Sequence, residues 1–197
     1  DLLSLLEQLE QAHKPFPVVV FFYAGATVPA DTRAVLEAID AEDSPSLRVF
    51  ALDAAMTETA AINALINMAE TPWIFLWQWP GLPTDANWLS VLLGKAQRPG
   101  VVAVTPRLMD VSGSIVGNQL LLGVADPVLP VGHGLRHEEL GYLGQLSGDF
   151  NPSAISFDAV FMRRESFLAS GGLDTAEPDL LAACVALCLT WQKNNQR

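Results

Sequence analysis

The chain has 197 residues, half of them hydrophobic and 17% charged, and carries a net charge of -11. That length and apolar content suit one domain with a substantial core and exclude a disordered chain. The acidic balance argues against nucleic acid, whose phosphates need Lys and Arg, and against docking on an anionic membrane through basic patches.

No apolar run reaches the roughly 18 residues that a transmembrane helix needs. No basic, apolar and small-residue series marks a secretory leader, and a cytoplasmic setting is expected. Leu2, Leu3, Leu5, Leu6 and Leu9 are already in helical register at the start. Residues 1–15 therefore read as a leading helix left from a preceding region, in a piece of a longer protein. Residues 16–192 read as a single domain and 193–197 as a tail.

Residues 18–23, a β-branched and aromatic run, read as a buried parallel strand. A helix follows from Pro29, and residues 47–52 form a second strand ending at Asp53. Residues 57–68 have helical spacing until Thr71-Pro72 breaks it, and 73–76 form a third strand. Asp85 is expected to cap a helix over 86–96, and residues 101–105 to form a fourth strand. Alternation of strand and helix up to this point predicts an α/β domain with a mostly parallel central sheet flanked by helices.

Residues 109–122 then suggest a small antiparallel hairpin around Gly113, and 123–153 a long irregular loop of the kind that is often functional. Residues 153–163 resume a strand, 165–170 a helical turn broken at Gly171-Gly172. Pro178 fits the first position of a final helix running to about Gln192. That helix is apolar nearly all round, so it should be covered on most sides. Its Cys184 and Cys188, with no His or third Cys nearby, read as small core residues rather than zinc ligands.

From residue 60 onward the motifs become specific. Residues 61–69 followed by Pro72-Trp73-Ile74-Phe75-Leu76, Trp88-Leu89, Gly100–Leu108 and Gly113–Gly117 come in an ordered series. Phe161-Met162-Arg163-Arg164-Glu165-Ser166-Phe167 and Gly171-Gly172-Leu173-Asp174 complete it. Over about residues 17–190 the series resembles family 2 glycosyltransferases. The resemblance implies the GT-A fold and transfer of a sugar from a nucleoside-diphosphate sugar to an acceptor hydroxyl, with inversion. That chemistry needs a carboxylate to take the acceptor proton and a positive group, in this family a Mn or Mg ion on an Asp-x-Asp, to stabilise the departing diphosphate.

The resemblance implies nucleotide contacts from Tyr23, Asp53 and Asn63, although a strand-end Asp53 would serve equally as a turn cap. Trp77, Gln78 and Trp79 fall where the metal aspartates belong. Indoles offer a hard cation no oxygen, and Gln78 offers one neutral amide. Trp77 and Trp79 suit either stacking on a ligand or packing. Glu177 and Asp179 fall at the catalytic carboxylate and beside it, or act as ordinary first-turn acids of the last helix.

His133, Arg136 and His137 lie in the long loop, where they could meet the acceptor or the diphosphate, or be plain surface residues. Arg136 and the Arg163-Arg164 pair are the cations able to replace a metal. Two readings follow: a glycosyltransferase-like domain with a degenerate metal site, working beside other domains of a longer chain, or a non-catalytic module that keeps the fold for protein contact or architecture.

Overall fold

A computed structural model of the chain describes residues 55–79, 81–124 and 127–197. The strands expected at 18–23 and 47–52, the leading helix, and Tyr23 and Asp53 lie outside the described residues.

Thr57 caps the first described helix, α1 (Glu58–Met68), its hydroxyl accepting from the Ala60 N–H at 3.3 Å. The helix buries Ala61, Ile62, Leu65 and Ile66 on one stripe. β1 (Trp73–Trp77) follows, then α2 (Trp88–Ala96) and β2 (Ala103–Val104). Asn87 rather than Asp85 occupies the N-cap of α2; Asp85 instead accepts the Asn87 N–H at 2.8 Å in the preceding turn.

After a Met109–Ile115 bridge come β3 (Gln119–Leu122) and β4 (Val128–Pro130). The span expected to be one irregular loop therefore contributes a strand, together with a 3-10 turn at Tyr142–Gly144. The strand expected over 153–163 is two: β5 (Ala154–Ile155) and β6 (Ala159–Arg163), separated by Ser156, Phe157 and Asp158. α3 (Arg164–Ala169) and α4 (Leu180–Lys193) close the chain. Helix α4 starts at Leu180, with Asp179 as its N-cap and Pro178 outside, because the Asp179 carboxylate accepts the Leu181 N–H at 2.8 Å.

Among the described residues two three-stranded sheets result, in the orders β1-β6-β2 and β4-β3-β5. Every described pairing is antiparallel. β1 and β2 therefore run parallel to one another on either side of β6. The expected parallel central sheet is not shown by the described residues, which have no parallel strand pairing.

β6 is buried on both faces. Val160 and Met162 point into the main core with α1, α3 and α4, while Phe161 packs with Leu92 and Ala96 of α2 on the other face. Helix α4 sinks Ala183, Cys184, Leu187, Cys188 and Trp191 into the main core, but Leu181 and Leu189 remain exposed. It is covered along one stripe rather than on most sides.

Two arginines organise this half of the domain. Arg164 grips the end of α1, its Nε donating to the Ile66 carbonyl and its Nη2 to that of Asn67, both at 3.0 Å. Arg163 lies opposite Trp73 across the strands, with its guanidinium carbon 4.4 Å from the indole centroid.

Candidate functional site

β1 delivers the Trp77-Gln78-Trp79 tip to the edge of a cleft of about 1240 Å³. This exceeds the ~300–1,000 Å³ typical of small-ligand sites. The tip is fixed by one peptide oxygen: the Asp158 carbonyl, in the β5–β6 link, accepts the N–H of Gln78 at 2.7 Å and of Trp79 at 3.0 Å. The cleft continues along α2, past Lys95 and Arg98, and along residues 103–111 and 146–155.

The two indoles differ in use. Trp77 meets Phe75 and Trp88 edge-on, at centroid distances of 5.2 and 5.5 Å, and its Nε1 donates to the Trp79 carbonyl. It is half-buried packing that also borders the cleft. Trp79 lies across Gly81, where any side chain would begin only 2.6 Å from its Nε1, and its indole lines the cleft. Gln78 points elsewhere: its Nε2 donates to Glu58 Oε1, on the first turn of α1, at 2.8 Å.

No group of three or more His, Cys, Asp or Glu side chains among the described residues is arranged to hold a metal. The tip does not fit a divalent cation either. Its single amide is engaged with Glu58, and indoles provide no oxygen.

Other residues singled out in the sequence do not converge on this cleft. Asn63 points its whole amide at Leu173: Nδ2 donates to the carbonyl at 2.7 Å and Oδ1 accepts the N–H at 2.9 Å. It clamps α1 to the Gly171-Gly172 turn. Glu177 accepts the Asp179 N–H at 3.1 Å, so Glu177 and Asp179 are both engaged in starting α4, and neither lines the cleft.

His133 Nδ1 donates to the Val116 carbonyl at 2.6 Å. Arg136 and His137 share Glu138 at 3.6 and 3.3 Å. The Glu138 carboxyl is held below its ordinary range by its own backbone N–H first, then by His137 and Arg136. Arg136 pairs with Ser114 in a β-bridge, and none of the three loop residues lines the cleft.

Among the described residues four cations line the cleft, Lys95, Arg98, Arg107 and Arg197, none of them singled out in the sequence. Lys95 and Arg98, at the end of α2, both pair with Asp149. Arg107 reaches the carbonyls of His137 (3.3 Å) and Leu146 and makes no ion pair among the described residues. Only folding brings residues 95, 98, 107 and 149 to one surface, so no local motif could have announced them.

No family profile matches the chain. The uncharacterized protein y4gI of Sinorhizobium fredii (strain NBRC 101917 / NGR234) is 33% identical over 106 residues, which make up 52% of this chain and 11% of that protein. The chain thus spans a small part of the relative's length. Among solved structures, a mannosyltransferase, PcManGT from Pyrobaculum calidifontis, in complex with GDP-Man and Mn2+, is similar with a TM-score of 0.55 and 16% identity. The match covers 98% of this chain and 48% of that one. The chain has a glycosyltransferase-like fold.

Proposed function

We propose that this chain is the nucleotide-sugar-binding part of a longer glycosyltransferase, of GT-A type and related to the inverting family 2 enzymes. The observation that carries this reading is the match to the GDP-Man-binding mannosyltransferase over 98% of the chain. The cleft beside the β1 tip supports it, since open α/β sheets hold ligands beyond the carboxyl ends of their strands. In this reading the Trp79 face stacks on the sugar or base, and the diphosphate is held by protein cations in place of a metal on the tip.

The test is calorimetric titration of the chain with GDP, UDP and their sugars, with and without Mn2+. Binding of one nucleotide series that weakens on Trp79→Ala is expected. Failure of every nucleotide and nucleotide sugar to bind sinks the proposal.

A second reading, a non-catalytic module, is favoured by one specific observation: Glu177 and Asp179 are both tied into the start of α4. It predicts that Glu177→Gln leaves sugar transfer by the whole parent protein unchanged. A marked loss of transfer would count against it.

A further inference from the structure

We propose that Lys95 and Arg98 form an anion site for a diphosphate group, and that Asp149 is its built-in competitor, occupying the site until the ligand displaces it. The inference rests on the nucleotide-sugar reading only for which diphosphate is bound.

The arrangement has the parts such a site needs. The Asp149 carboxylate bridges two cations on neighbouring turns: Oδ1 meets the Lys95 ammonium, and Oδ2 lies 3.6 Å from the Arg98 guanidinium. All three side chains are at least one-third exposed, and exposed pairs of this kind contribute little to stability, so exchange of one anion for another is cheap. A diphosphate carries more charge than a carboxylate and offers several oxygens, which suits an ammonium and a guanidinium side by side.

All three groups line the cleft that Trp79 borders. In a chain of net charge -11, such a doublet is a local exception that would concentrate an anion. The other arginines considered for this role are engaged elsewhere, Arg136 with Glu138, Arg163 over Trp73 and Arg164 on the α1 carbonyls.

The segment bearing Asp149 is built to let go without unfolding. Arg107 holds the Leu146 carbonyl three residues upstream. Gly148 stands in open space, with nothing within 4 Å of where a side chain would begin. Asp149 is thus flanked by an uncrowded glycine and is itself half exposed, so its carboxylate is accessible to a competing anion. Arg107 uses two of its five donors on carbonyls and keeps the rest for the cleft.

The probe is inorganic pyrophosphate, titrated by calorimetry into the full chain without metal, beside Asp149→Asn and the double variant Lys95→Gln/Arg98→Gln. Pyrophosphate is expected to bind about three- to tenfold more tightly to Asp149→Asn, and at least about tenfold more weakly to the double variant. Affinity should fall as salt rises. Equal binding by all three proteins, or binding by none, overturns the proposal.

A nucleotide-sugar arm separates the two readings. Nucleotide sugars that bind with no response to these variants leave the proposed function standing and remove this site. Pyrophosphate binding that responds to Asp149 without any nucleotide-sugar binding does the reverse.

Discussion

Replacing Asn63 by Ala tests whether this residue clamps the fold or contacts a nucleotide. The amide makes two hydrogen bonds, at 2.7 and 2.9 Å, to the carbonyl and N–H of Leu173, and Leu173 is 2% exposed. Ala removes both partners and leaves two backbone groups with little access to water. A stranded fully buried polar group costs about 1–3 kcal/mol; both bonds here are part-buried, which keeps the pair to about 2–4 kcal/mol. With a urea dependence of about 2–3 kcal/mol/M, the unfolding midpoint should fall by ~1–2 M.

Asn63→Asp is expected to rescue nothing, since it keeps the acceptor but sets a second oxygen against the Leu173 carbonyl. The assay is urea denaturation followed by far-UV circular dichroism, with nucleotide binding measured on the same samples below the transition. An unchanged midpoint together with lost nucleotide binding would refute the clamp and restore Asn63 to the ligand site.

Gly172→Ala should be still more damaging, because Gly172 has φ +74° and an added Cβ would lie 2.7 Å from Asn63 Oδ1; thermal melting reads this directly. Asp179→Ala should cost about 1 kcal/mol through loss of the α4 cap, whereas Asp179→Asn, which keeps a capping oxygen, should retain most of that stability in urea denaturation. The Asp110 carboxyl is held below its ordinary value by the Ser112 hydroxyl and then the Ser114 N–H. Its folded value lies below the unfolded one, so the turn's contribution is present above the unfolded value and lost as pH falls through the folded one. The Ser112 and Ser114 amide resonances should therefore follow a titration whose midpoint lies below that of an unperturbed Asp, about 3.9. Burial pushes the Cys188 thiol up to about 11 and the Cys184 thiol higher still, so neither should react with an alkylating agent at pH 8 until the chain is unfolded.

Much of the local structure was legible. β1, α1 and the Gly171-Gly172 break follow from β-branched and aromatic runs, a capping Thr57 and a backbone at positive φ. The division of 153–163 was not legible, since nothing in that apolar run says that its two ends belong to different sheets. Nor was the start of α4, where Pro178 and Asp179 both carry a helix-start signal and the capping hydrogen bond decided for Asp179.

At the site, the chemical character of the Trp77-Gln78-Trp79 tip was readable from side chains alone. That both indoles border the cleft, with Trp77 packed edge-on against Trp88 eleven residues beyond it, was not readable there. The Lys95–Asp149 contact joins residues 54 apart in sequence, a relation visible only once α2 and the following loops have packed.

The Asp158 carbonyl has a mechanical consequence. It sits in the link between the two sheets and also carries the amides of Gln78 and Trp79. The pairing of β1 with β6 is thereby carried past Trp77, so the tryptophan tip is tied to the strand that is buried on both faces. The tip cannot leave β6 without breaking two hydrogen bonds, whereas the Lys95 and Arg98 end of the cleft is bridged to Asp149 by exposed ion pairs.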